Sequence, residues 1–292
     1  MEEAIRKGVL VSIVVRTKDR PRLLAEALAS IAAQTYRPVE VIVVNDGGED
    51  VRVVTTALEG RLELQLVDLR RGRGRSAAAN AGIAAARGPW IAFLDDDDLL
   101  LPHGIATLIE ASQGLEVVPY GRVDAYFRRE DAAPRSFRVF NRPFDPNALL
   151  FENYIPLNAC LIPAETLRGI GGVDERLECF EDWDLFLRLS DRVRFRHVDR
   201  QVAEYRIFDQ AFITGRGGQE RQHRGRVAIF TKHAHRYTPE ALSRMQYAVK
   251  TGSEELVALE TRLKEVESAL HAIESSRGWR MVQWARRLLG RR

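Results

Sequence analysis

The sequence predicts an α/β protein built on a doubly wound, mostly parallel sheet, with a helical extension at its C-terminal end. Three observations predict it. Short apolar runs rich in β-branched residues alternate with helix-length stretches over the first hundred residues, the pattern of successive strand–helix–strand units. Those runs are nearly continuous in apolarity, as strands covered on both faces are. Beyond Ser253 the aliphatic residues change to a heptad spacing, which belongs to a helical seam rather than a sheet.

The elements follow in order. Val9-Leu-Val-Ser-Ile-Val-Val15 reads as the first strand. The preceding Met1 to Lys7 carries two acids and two bases, a poor signal peptide. Pro21 opens a helix over 22–33, with Leu23, Leu24, Ala27, Leu28 and Ile31 on one face. Val39 to Val44 is the second strand, and Asn45-Asp-Gly-Gly48 is a turn. Residues 62–69 form the third strand. Ser76 to Arg87 is an Ala-rich helix stopped by Gly88-Pro89, and Trp90 to Leu94 is a fourth strand running into Asp95-Asp-Asp-Asp98.

The stretch 116–170 is less regular. It holds strand-like pieces at 116–120, 123–127 and 159–163 and a proline-containing connection over 134–156. Gly171-Gly-Val-Asp174 is a turn, 181–190 a short helix, 202–206 a late strand, 209–222 a loop and 226–235 a helix. Leu256, Leu259, Leu263, Val266, Leu270 and Ile273 then recur at a/d spacing. The expected organisation is a main domain over 1–225, a connecting helix over 226–252, and an amphipathic helix with a basic tail over 253–292.

Composition removes several classes. With 45% hydrophobic residues, 21 Gly and 11 Pro in 292, the chain is neither collagen-like nor disordered. Its two cysteines, Cys160 and Cys179, build neither a disulfide framework nor a four-thiolate zinc site, so a reducing compartment is expected. No apolar run reaches the roughly 18 residues that span a bilayer. The net charge is +3, but the six arginines after Ser275 meet no acid. Residues 1–274 therefore hold 38 of the 44 bases against all 41 acids, a net of −3. That balance disfavours nucleic acid as a partner of the body and leaves an anionic surface open near the C-terminus.

Four constellations could carry chemistry. Asp95 to Asp98 ends a buried strand, where open α/β sheets bind ligands. Adjacent carboxylates gain from a divalent cation such as Mg²⁺ or Mn²⁺, although an acidic turn before a helix explains them too. Asn45-Asp46 ends strand two, where a carboxylate could accept hydrogen bonds from a base or ribose, or simply close an Asx-turn. Arg70-Arg-Gly-Arg-Gly-Arg75 could grip a phosphate or stay solvated. Phe180-Glu-Asp-Trp-Asp184 offers a general base or a helix cap.

Taken in order, these blocks resemble the inverting family 2 glycosyltransferases. The match covers Val11 to Pro21, Gln34 to Pro38, Val41 to Gly47, Ala78 to Ile83, Gly88 to Asp98, Gly171 to Arg176, Glu181 to Asp184 and Glu204 to Arg206. The resemblance implies a GT-A fold, a Rossmann-like doubly wound sheet. It implies that Thr17 and Asp46 hold the nucleotide base, and that Arg73 or Arg75 approaches base or phosphates. It also implies Asp96 on the ribose, Asp97 with Asp95 on Mn²⁺ or Mg²⁺, and Asp182 as catalytic base. The implied partners are a UDP-, GDP- or dTDP-linked sugar and a sugar or lipid-linked acceptor.

The chain departs from the family pattern at Arg16 and Lys18, at Ala79, and at Ile207-Phe208-Asp209. Two alternatives remain: a sugar nucleotidyltransferase, and a non-catalytic scaffold that recruits through its coiled coil. The heptad seam suits a homodimer or a helix packed on its own body. The Trp- and Arg-rich tail suits an anionic leaflet, so the expected location is cytoplasmic, peripheral to the inner face of the cell membrane.

Overall fold

The computed structural model describes residues 8–112, 114, 116–129, 132–208, 216–247 and 250. The chain divides into two compact units, Met1–Ala234 and His235–Arg292. In the second, residues 239–247 are helical. The heptad stripe over 256–273 and the basic tail lie outside the described residues.

The first unit carries a five-stranded sheet. Its strands are β1 (Val11–Thr17), β2 (Val39–Asn45), β3 (Glu63–Asp68), β4 (Trp90–Asp95) and β8 (Ile162–Pro163), in the order β3-β2-β1-β4-β8. All neighbours are parallel except β8, which pairs antiparallel with β4. Every residue of β1 and β2 is buried, which is why these runs carry no alternation. Each fully buried Val, Leu or Ile contributes about 1.5–3 kcal/mol. Helix α1 (Pro21–Ala32) buries Leu24, Ala27, Leu28 and Ile31. A short helix α2 (Arg52–Thr56) precedes β3. Helix α3 (Arg75–Ala85) packs on β1 and β2. A Cβ at Gly82 would lie 2.2 Å from Val14 Cγ1, so α3 sits flush on the sheet because that residue has no side chain.

Residues read as irregular form a second sheet. It comprises β5 (Leu99–Leu100), β6 (Val117–Arg129), β7 (Ala132–Phe140) and β9 (Arg194–Ile207), in the order β5-β9-β6-β7. The pieces at 116–120 and 123–127 are one strand, and the late strand is fourteen residues long rather than five. The connection expected over 134–156 is instead the rest of an antiparallel hairpin followed by helix α5 (Pro146–Phe151). Asp145 caps that helix through Asn147 N–H and Ala148 N–H. Of 159–163 only Ile162–Pro163 is strand, after a 3₁₀ turn over Leu157–Ala159.

Helices α4 (Gly104–Ser112), α6 (Ala164–Gly169), α7 (Glu181–Leu189) and α8 (Arg216–Lys232) complete the unit. The loop expected over 209–222 is helical from Arg216 onward, a correction to the sequence reading. Its glycines and arginines have poor helical amphipathicity, and ion pairs hold the helix end. Lys232 Nζ lies 2.6 Å from both Asp174 and Asp184, and His233 Nε2 is 2.9 Å from Asp184. Cys160 and Cys179 are free thiols, both buried.

Candidate active site

The parallel strands aim their carboxyl ends at one edge, and register fixes what meets there. Arg16 of β1 sits opposite Asp95 of β4, and Thr17 opposite Asn45 of β2. Arg16 is buried and gives Asp95 a short ion pair, 2.6 Å from NH2 to Oδ1. An arginine inside an apolar strand demands such a partner. That demand is the signal by which Arg16, missing from the sequence-derived site, could have been found. Partial burial opposes ionisation of Asp95, but the guanidinium groups of Arg16 and Arg75 outweigh it and hold the carboxyl below its usual range.

The remaining strand-end acids take separate roles. Asp96 accepts Thr17 Oγ1–H at 2.7 Å, and burial lifts its carboxyl to about 6 against the pull of Thr17 and Arg20. Asp97 accepts from Arg20 NH1 at 2.6 Å, and burial and then the charge of Asp95 raise it. Asp98 turns inward, where it accepts from Asn158 Nδ2 at 2.8 Å and Arg206 N–H at 2.9 Å. Burial raises its carboxyl well above the ordinary range, and it forms part of the cleft lining.

Asp95 and Asp97 offer an oxygen-only donor set in which one charge raises the other's proton affinity, and a divalent cation would relieve that repulsion. Among the described residues no group of three or more His, Cys, Asp or Glu could enclose a metal. A cation here would complete its shell with phosphate and water oxygens, as Mg²⁺ commonly does. The residues present fit that mode.

Asp46 is buried and accepts two backbone N–H groups, Arg73 at 2.6 Å and Gly74 at 3.0 Å. It thereby ties the strand-two turn to the arginine-rich loop. Gly47 makes the approach possible, with φ +68° and an added Cβ only 2.3 Å from the Arg71 and Gly72 backbone. Arg73 points outward to Glu175 at 3.5 Å, while Arg75 forms a two-pronged pair with Glu181. Lys18 Nζ would lie 2.6 Å from a Cβ at Gly72, so it covers this loop.

Phe180, the residue that precedes helix α7, has a left-handed φ of 61°. Glu181, fully buried, and Asp182 beside it both line the cleft. Asp182 accepts from Asn153 Nδ2 at 2.9 Å. Burial, then the charge of Glu181, raises its carboxyl to about 6. Arg16, Arg75, Asp95, Asn153, Asp182 and Tyr205 line one cleft of roughly 230 Å³. Of the sequence-predicted residues, Arg75, Asp95 and Asp182 share that lining. Thr17 is hydrogen-bonded to Asp96, and Arg20 to Asp97, outside that lining. Asp46, on the strand-two turn, and Arg73, on the arginine-rich loop it accepts from, are also outside that lining. Sequence reasoning missed Arg16, Asn153, Asn158 and Tyr205. Asn153 and Asn158 come from segments with no strong local motif, whereas Arg16 and Tyr205 lie in the blocks Val11 to Pro21 and Glu204 to Arg206, where the resemblance assigns no site role to those two positions.

The sequence model described as Glycosyl transferase family 2 matches residues 12–161. An uncharacterized glycosyltransferase of Bacillus subtilis is 31% identical over 202 residues, 68% of this chain and 75% of that protein. The succinoglycan biosynthesis protein ExoO of Rhizobium meliloti is 39% identical over 107 residues, 37% of this chain and 31% of its own length. The chain thus spans three quarters of one relative and about a third of the other. Among solved structures, a Pyrobaculum calidifontis mannosyltransferase in complex with GDP-Man and Mn²⁺ has TM-score 0.57 at 18% identity, covering 93% of this chain and 82% of that one. Staphylococcus aureus TarS 1–349 in complex with UDP-GlcNAc has TM-score 0.57 at 18% identity, covering 75% and 66%. At that identity the likeness establishes the fold, which is GT-A.

Proposed function

The chain belongs to glycosyl transferase family 2, and from that premise we propose that it transfers a sugar, with inversion, from a nucleotide diphosphate to an acceptor hydroxyl in surface polysaccharide synthesis. The observation that carries the proposal is Asp182, its carboxyl raised to about 6 and steadied by Asn153 in the cleft that also holds Arg16, Arg75 and Asp95. Asp182 accepts the proton of the attacking hydroxyl. A base whose carboxyl is raised toward the working pH is more effective than an ordinary aspartate and is still ionised at pH 7. One in-line displacement inverts the anomeric carbon.

Asp46 and Thr17 orient the nucleoside, Asp96 the ribose, and Arg73 and Arg75 the diphosphate. Arg75 leaves Glu181 to do so. A Mn²⁺ or Mg²⁺ ion held by Asp97 with Asp95 would neutralise charge on the departing diphosphate. The nucleotide sugars bound in the two solved structures, and the succinoglycan biosynthesis assigned by name to one relative, support this reading. The heptad over 256–273 serves self-association, and the arginine-rich end meets an anionic inner leaflet, where each basic residue contributes about 1 kcal/mol. The test is hydrolysis of UDP-, GDP- and dTDP-sugars with and without Mn²⁺. Mn²⁺-dependent release of one nucleotide diphosphate supports an enzyme. No release with any donor, and no binding by calorimetry, favours a non-catalytic scaffold.

A further inference from the structure

The cleft wall continues onto a surface that catalysis does not use. Tyr205 of β9 pairs with Ala125 of β6, which in turn pairs with Arg138 of β7. Residues paired across a sheet share a face, and Tyr205 and Phe140 both line the cleft. The same face therefore runs outward along the hairpin. Two residues further along β6, Phe127 pairs with Arg135. Register shifts between Ala125 and Tyr126 set Phe137 in the bulge, where its ring lies 4.8 Å from that of Phe127. The result is a strip of alternating rings and guanidinium groups, with Arg138 4.8 Å over Phe140 and Arg135 5.0 Å over Phe127.

This strip is poorly covered, and its outer arginine is not neutralised by any described residue. Phe137 is 45% exposed, a high value for a phenylalanine on a strand. Arg135 has no carboxylate within ion-pair distance among the described residues, and Arg138 reaches Glu152 only at 3.4 Å. No acidic residue occurs from 132 to 144. From Phe140 to Arg135 the strand advances about 17 Å, which is longer than a single sugar ring. Rings aligned with guanidinium groups, of which Arg138 shares the exposed Glu152 and Arg135 has no carboxylate partner among the described residues, fit a ligand that alternates flat apolar faces with negative charge.

We propose that the β6–β7 hairpin is the docking track of an anionic saccharide chain, the growing acceptor, whose terminal hydroxyl reaches Asp182 while preceding units lie along Phe140, Arg138, Phe137 and Arg135. This rests on the transferase reading above, because only an acceptor must enter the cleft and leave it as a chain. Arg135 and Phe137 lie away from the nucleotide-side residues, so they set acceptor preference without touching the donor.

The test uses full-length protein, a tetrasaccharide containing uronic acid and the same tetrasaccharide with its carboxyls reduced. Binding is measured by calorimetry beside binding of UDP, GDP and dTDP with Mn²⁺. The uronate should bind at least about tenfold more tightly than its reduced form, the size of one charge-assisted hydrogen bond. Arg135→Ala and Phe137→Ala should each erase about five- to tenfold of that affinity, with nucleotide binding unchanged. Both substitutions are at exposed positions, and circular dichroism checks their fold. Equal binding of the two tetrasaccharides, or variants that bind like wild type, overturns the track. So does tighter binding of a thymidine oligomer than of the uronate, if Arg135→Ala removes that binding. Loss of nucleotide binding in the wild-type protein would overturn the transferase reading instead, so the two failures are distinguishable.

Discussion

Replacing Asp182 with asparagine removes the proposed proton acceptor while keeping the outline of the side chain and an oxygen for Asn153 Nδ2. Loss of general-base assistance lowers kcat about 10²–10⁴-fold. Stability should move the other way. Burial and the neighbouring Glu181 raise the Asp182 carboxyl to about 6, against about 4 in an unfolded chain. A carboxyl that holds its proton more tightly when folded supports the fold below about pH 4. That support is lost as pH rises through about 6, and above it the ionised group is a net burden. Two units correspond to up to about 3 kcal/mol. Neutral asparagine escapes the burden, so Asp182→Asn should raise Tm at pH 8 by several degrees, at about 2–4 °C per kcal/mol for a domain of this size. The gain should shrink toward zero near pH 4. Transfer assays and calorimetric melting at matched pH from 4.5 to 8 measure both, and wild-type kcat should fall on the acid side with an apparent pKa near 6. A variant with wild-type turnover, or a lower Tm at pH 8, would refute the reasoning. The latter is the outcome for a carboxylate that merely favours a helix N-terminus, worth about 0.3–1 kcal/mol.

Three further outcomes are expected. Asp97→Ala should abolish Mn²⁺-dependent binding of the nucleotide diphosphate in calorimetry, since Asp95 alone, paired to Arg16, cannot hold the ion; unchanged affinity counts against the site. Arg75→Met should weaken nucleotide binding and also lower stability by about 1–3 kcal/mol in denaturant titration, because buried Glu181 keeps only Arg16, at 3.7 Å. Truncation after Ile273 should end sedimentation with anionic liposomes at physiological salt and leave donor hydrolysis intact, whereas a full-length protein that fails to sediment removes the membrane role.

The parallel half of the fold is legible in the sequence because strands buried on both faces announce themselves as apolar runs, and β1, β2 and β4 are such strands. The hairpin strand β7 is not. It is an edge strand, which tolerates Pro134, and its bulge at Phe137 interrupts the alternation that period-two reading depends on. Helix α8 hides for a different reason: Gly217 and Gly218 lower its propensity, and its end is fixed by Lys232 and His233 against Asp184 rather than by an apolar stripe. Within the cleft, Asp95 and Asp182 stand in motifs with local spacing. Asn153 and Tyr205 come from distant segments, and only the three-dimensional pairing of β9 with β6 and the turn after α5 brings them to the same place.

The flush seat of α3 on β1 has a mechanical corollary. Gly82 lies two turns along the helix from Arg75, and Val14 lies two residues along the strand from Arg16. A methyl group at Gly82 would act as a wedge near the far end of a lever, lifting the helix from the sheet and swinging its first turn. The arginine at that first turn would then part from the glutamate on the opposite wall, although neither had been altered. The width of the cleft is in this sense gauged by an atom that is missing, some distance from any group that touches substrate.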